Sequence, residues 1–198
     1  MSNPAPLSIV EPLLTLHLES GATLLVAPLA TPQNIDPTEE KLCAKRQKER
    51  YTWHTLARQI LQQPTAQFEY NTLGAPCIVA SNLHISVSHS TTLVAVIIGP
   101  TRCAIDIEAL ERNFERVAPR YIDPTEQSLC THKTSLAQLW SIKECLYKYC
   151  GTQPLDMVKD VRVLTLESEN FSASLPTHPN PIGGKVIIAH NHIVAYIG

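Results

Sequence analysis

Apolar and polar residues alternate over residues 13–18 and again over 22–27, with Ser20 and Gly21 between the runs, which predicts a β-hairpin. A longer segment with helical spacing follows over 37–62, continuous or broken, and Pro64 ends it. Strands are then expected near 83–88, 93–98 and 103–108, the last two joined through Gly99 and Pro100. Beyond them the spacing predicts a helix near 112–120, a capped helical turn after Asp123 and a long helix over 135–150. Strands near 161–166, 171–175, 185–190 and 192–197 complete the chain. Apolar runs such as 93–98 and 186–189 fall far short of the roughly 18 residues a membrane helix needs, so no membrane span is expected.

The pattern repeats itself. Ile35-Asp36-Pro37-Thr38-Glu39 recurs unchanged as Ile122-Asp123-Pro124-Thr125-Glu126, an offset of 87. At that offset Trp53 falls on Trp140, and the strand over 84–88 falls on 171–175. Each Asp-Pro-Thr-Glu opens a helix by a local mechanism. The Asp accepts from exposed backbone N–H groups, Pro suits the first helical position, and Glu completes a capping box. Two related halves are therefore expected, 1–102 and 103–198, with the seam just before or at the strand over 105–108. No linker rich in glycine or serine separates them, so they should pack tightly.

Composition narrows the class. The 198 residues are 44% hydrophobic and 17% charged, with a formal charge of -2, which excludes a disordered, collagen-like or coiled-coil chain. The first residues lack a basic leader and carry Pro4, Pro6, Glu11 and Pro12 where a signal peptide needs an unbroken apolar stretch, so a cytoplasmic protein is expected. Six cysteines without a C-x-x-C pair read as reduced thiols, mostly filling the core. Charge is uneven: Lys41, Lys45, Arg46, Lys48, Arg50 and Arg58 share their segment with a single acid, Glu49. Nucleic-acid binding is disfavoured, because the chain is slightly acidic and only Tyr51 and Trp53 offer stacking surfaces in that segment.

Three local patterns carry candidate chemistry. In the strand Cys103-Ala104-Ile105-Asp106-Ile107-Glu108, side chains alternate, so Asp106 and Glu108 share one face at roughly 7 Å. Their repulsion would be relieved by a divalent cation with oxygen ligands; taken alone, the string reads first as a solvated strand face. On the helix over 135–150, Leu139, Ile142, Leu146 and Tyr149 form a core stripe, whereas Trp140, Glu144, Tyr147 and Lys148 form a second. Glu144 and Lys148 also read as an ordinary helix ion pair worth about 0.2–0.5 kcal/mol, and Lys143, between the stripes, as a surface charge. Ser86-Val87-Ser88-His89-Ser90 ends a strand with donors suited to phosphate oxygens, or with a structural histidine. No G-x-S-x-G elbow accompanies it.

The order of these segments resembles the 4'-phosphopantetheinyl transferase superfamily in its single-chain, two-half form. The family pattern runs G-x-P, then a strand ending S-H-S, then G-I-D-I-E, then W-x-x-K-E-x-x-x-K. Here these are Gly74-Ala75-Pro76, Ser88-His89-Ser90, Ala104-Ile105-Asp106-Ile107-Glu108, and Trp140 to Lys148 with Lys143, Glu144 and Lys148 in register. The resemblance implies an α+β fold of two similar α/β subdomains about a pseudo-twofold axis, in a monomer that has internalised a dimer interface. It implies transfer of phosphopantetheine from coenzyme A to a serine of an apo acyl or peptidyl carrier protein, with magnesium, releasing adenosine 3',5'-bisphosphate. By motif, Asp106, Glu108 and Glu144 would surround the metal. Glu144 would also serve as general base, and Lys148 would neutralise the pyrophosphate. Ser88 and His89 would bind phosphate oxygens, and Arg58, with Arg46 and Arg50 as weaker choices, would contact the nucleotide. Ala75 stands where many members carry lysine, Ala104 where they carry glycine, and Cys145 follows the catalytic glutamate. The missing lysine keeps open a non-catalytic carrier- or nucleotide-binding module, and the carboxylates a metal-dependent phosphohydrolase.

Overall fold

A computed structural model describes residues 9–32, 42–151 and 155–198. The hairpin expected at the start is β1, Leu14–His17, and β2, Thr23–Pro28; α1 runs over Ala44–Leu61. A small hairpin follows, β3 at Phe68–Tyr70 and β4 at Pro76–Ile78, and then β5 at His84–His89, β6 at Leu93–Gly99 and β7 at Ala104–Ala109. After two 3-10 turns come α2, Ser135–Cys150, and β8 to β11 at Arg162–Glu167, Asn170–Ser174, Ile182–Ala189 and His192–Ile197. The fold is α+β. One antiparallel sheet has the order β1-β2-β6-β5, the other β7-β11-β10-β9-β8, and β3 pairs only with β4.

Strand alternation explains the layering. On β6, Val94, Val96 and Ile98 meet Trp53, Leu56 and Ala57 of α1, while Leu93, Ala95 and Ile97 meet Ile105 and Ile107 of β7. On β11, Val194 and Tyr196 join that middle layer, whereas Ile193, Ala195 and Ile197 face Leu139, Ile142 and Leu146 of α2. The order is thus α1, first sheet, second sheet, α2. A strand buried on both faces must be apolar throughout, and β6, Leu-Val-Ala-Val-Ile-Ile-Gly, is buried at every position. Side chains tie the layers at the edges. Ser86 and Ser88 accept through Oγ from Ile105 N–H and Ile107 N–H, each at 3.2 Å, and Ser90 Oγ lies 2.9 Å from His192 Nε2.

Several expectations need correction. The helix near 112–120 is absent apart from one 3-10 turn at Ala118–Arg120. Asn113 Oδ1 captures Arg116 N–H at 3.1 Å, a local bond that competes with a helix, and Pro119 has no N–H to give. The hairpin β3–β4 escaped the pattern because each strand has three residues. Asn71 Oδ1 holds its turn by accepting from Leu73 N–H and Ala75 N–H, both at 2.9 Å. The first Asp-Pro-Thr-Glu lies outside the described residues. The second forms the expected capping box, with Pro124 at its start, but opens a 3-10 turn, Pro124–Leu129, rather than an α-helix.

The offset of 87 joins mid-helix positions, Trp53 on α1 and Trp140 on α2, but it sets β5 on β9. The strand with the place of β5 in its own sheet is β10: β2-β6-β5 in the first sheet matches β7-β11-β10 in the second, each with a helix after its first strand. All six cysteines are free thiols, with Cys103, Cys145 and Cys150 buried and Cys43 exposed. Among the described residues no helix is long and apolar enough to cross a membrane.

Candidate active site

Asp106 sits where the edge of the second sheet meets β5 and α2, and only 4% of it is exposed. Its Oδ1 accepts from Ser88 Oγ and from Lys148 Nζ, each at 2.9 Å; Lys148 also donates to the Ile105 carbonyl at 3.0 Å. Its Oδ2 is buried and accepts no hydrogen bond among the described residues. Two residues along β7, Glu108 Oε1 accepts from Trp140 Nε1 at 2.8 Å and from Arg112 Nη1. The Arg112 guanidinium lies 4.5 Å from the Trp140 ring centroid, a cation–π contact that holds the donor in place.

Glu144, one turn before Lys148 on α2, is half-buried. Burial pushes its carboxyl above the ordinary value; the neighbouring Asp106 adds to this, Lys148 opposes it, and Glu108 adds again. Glu108 is also raised, by burial first and by Asp106 second, against Trp140, Arg112 and Lys148. The helix and strand patterns therefore do bring Asp106, Glu108, Glu144 and Lys148 into one electrostatic cluster. As the side chains stand, however, no three His, Cys, Asp or Glu groups among the described residues close into a metal-binding set. Asp106 is turned to Ser88 and Lys148, and Glu108 to Trp140 and Arg112. The donor chemistry still fits a hard divalent cation: three carboxylates repel one another, and one holds a buried oxygen without a donor.

Lys143 is no surface charge. It is 0% exposed, and its Nζ donates to Glu126 Oε2 at 2.7 Å and to the Met157 carbonyl at 2.9 Å. Glu126, equally buried, accepts from Asp123 N–H and Val163 N–H, each at 2.8 Å. This buried pair clamps α2 to the turn at 124–129 and to β8. Burial pulls the Lys143 amine down from its ordinary value, against the pull of Glu126. The capping-box glutamate was legible as a cap, but its buried partner 17 residues on was not.

The basic segment divides. His89, at the end of β5, has Nδ1 3.4 Å from Oε1 of the buried Glu49 on α1, and Lys45 and Arg46 reach the same acid at 3.5 and 3.8 Å. Arg50 and Arg58 lie beside the small hairpin. Arg50 lies 5.3 Å from the Tyr70 ring centroid; Arg58 donates to the Ala66 carbonyl at 3.2 Å and lies 5.8 Å from the Phe68 ring centroid. A cavity of about 590 Å³ opens beside Lys148, walled by Ala75, Pro76, Ser86 and Arg102. Arg102 gave no sequence signal. Its guanidinium occupies the space that a Cβ at Gly151 would take, just past the end of α2.

Residues 102–196 match the family model of the 4'-phosphopantetheinyl transferase superfamily, so that stretch carries a domain of this superfamily. The matched span includes Asp106, Glu108 and the whole Trp140 to Lys148 motif; Ser88, His89 and the Ala75 segment lie before it. No curated protein matches the chain.

Proposed function

We propose that a chain carrying this superfamily domain transfers phosphopantetheine from coenzyme A to a serine of an apo acyl or peptidyl carrier protein. The observation that carries the reading is the convergence of Asp106, Glu108, Glu144 and Lys148 from β7 and α2 within the matched span. In the reaction the serine Oγ bonds to the phosphorus that bears the pantetheine arm. The bond from that phosphorus to the bridging oxygen breaks, and the oxygen leaves with adenosine 3',5'-bisphosphate. The serine proton passes to Glu144 and on to water. Asp106, Glu108 and Glu144 would hold magnesium, which supplies charge neutralisation on the pyrophosphate.

Lys148 exchanges its contact with Asp106 for the pyrophosphate and neutralises the departing group. Ser88, whose hydroxyl is engaged by Asp106 and Ile107 N–H, orients that carboxylate rather than a phosphate. His89 and Arg46 face the phosphates; Arg50 and Arg58 have other work in the small hairpin. The cavity walled by Ala75 receives part of the coenzyme, with Arg102 as a cation in the absence of the lysine. Arg102→Ala is expected to raise KM for coenzyme A about tenfold, the loss of one charge-assisted contact, with kcat preserved; unchanged steady-state constants would remove Arg102 from the site. The shared order β2-β6-β5 and β7-β11-β10 supports a pseudo-twofold relation of the halves 1–102 and 103–198, and with it a monomer.

Incubation with coenzyme A, magnesium and a panel of apo carrier proteins should add the phosphopantetheine mass to at least one carrier. If no carrier gains mass while one still binds, the chain is a binding module, the reading favoured by Ala75. Magnesium should raise the melting temperature of the wild type, because a cation bound by the folded state alone stabilises it. Asp106→Asn should abolish that rise, and an equal rise in the variant would place the ion elsewhere.

A further inference from the structure

Glu49 is the one acid in a strongly basic stretch of α1, yet it is 4% exposed and its Oε2 accepts no hydrogen bond among the described residues. A carboxylate is not buried without a compensating partner, and solvated Lys45 and Arg46 are weak compensation. The remaining contact is His89 Nδ1, 3.4 Å from Oε1. Holding the imidazole by Nδ1 puts Nε2 on the far side of the ring, away from Glu49.

We propose that Glu49 is the positioning residue for His89, converting it on arrival of a coenzyme phosphate into an imidazolium that donates Nδ1–H to Glu49 and Nε2–H to the phosphate. The inference rests on the coenzyme A reading above and deepens it. The balance is simple: one proton is taken up from solvent, and no covalent bond changes. Without the ligand, burial holds the imidazole below its ordinary value, with Glu49 pulling it up and Arg46, Lys45 and Lys148 pushing it down. Among the described residues these four are the charged groups that act on the ring, three from α1 and one from α2. A phosphate dianion beside Nε2 offsets the three cations and adds its own pull to that of Glu49 against the burial, so protonation accompanies binding.

Calorimetry of coenzyme A binding, without magnesium, at neutral pH and in buffers of different ionisation enthalpy, reads the proton directly. The wild type should take up a substantial fraction of one proton; Glu49→Gln and His89→Gln should both lose that uptake and bind about tenfold more weakly, and Glu49→Asp should restore part of it. Equal uptake in wild type and Glu49→Gln would overturn the proposal while leaving the coenzyme reading intact; a wild type that binds no coenzyme A would overturn both. Nitrogen NMR of the wild-type imidazoles needs no variant. His89 should carry one ring proton in the free protein and two in the complex, and a neutral ring in the complex would refute the device.

Discussion

Glu144→Ala is expected to slow phosphopantetheine transfer by about 10²–10⁴-fold, the usual contribution of a general base, with the fold intact. Alanine is the best helix former, and position 144 lies in the interior of α2. Glu144→Gln separates charge from shape. The folded-state carboxyl is raised, so the folded protein binds more protons than the unfolded chain between the ordinary carboxylate value and the raised one. Stability therefore falls as pH rises through that window, and at neutral pH the ionised group is a net cost. Without magnesium, Glu144→Gln should melt higher than the wild type at neutral pH and lose that advantage in acid, while transfer with magnesium collapses at every pH. Transfer by Glu144→Ala at the wild-type rate would remove Glu144 from its role.

Lys143→Met should have the largest effect on stability, about 3–5 kcal/mol, because it strands Glu126 as a charge in the core. The loss is read from the midpoint of denaturant unfolding. Adding Glu126→Gln to Lys143→Met should recover part of it, since the stranded charge disappears. Recovery is incomplete because Asp123 N–H and Val163 N–H now bond to two oxygens, and an amide has one. An unchanged midpoint for Lys143→Met would show that the pair does not clamp α2. The effect reaches the chemistry through position: Lys143 and Glu144 are adjacent, and a helix loosened from the 124–129 turn no longer presents Glu144 and Lys148 to Asp106.

Much of the site was legible because its geometry is local. Alternation on β7 sends Ile105 and Ile107 into the layer between the sheets and frees Asp106 for the α2 side. Helical spacing sets Trp140, Glu144 and Lys148 on one stripe, and the structure uses Trp140 to hold Glu108 and Lys148 to hold Asp106. Ser88 shows the limit. Its place beside a histidine at a strand end favoured a phosphate contact, but the neighbouring edge of β7 lies close enough to occupy the hydroxyl twice. Arg58 shows it again, because the hairpin that claims its guanidinium was too short to be read from the chain.

By itself the sequence determined every strand but β3 and β4, the helices α1 and α2, the capped turn at Asp123 and the faces on which the acids lie. These follow from contacts two to four residues apart, which survive in any fold that keeps the element. Only the tertiary structure decided what those faces meet. It made Lys143 a buried clamp, set Glu49 under His89 across 40 residues of chain, laid Arg58 against the Phe68 ring, and set β10 between β11 and β9. Such pairings depend on which edges the topology apposes and on the cost of burying a charge alone, neither of which the order of residues displays.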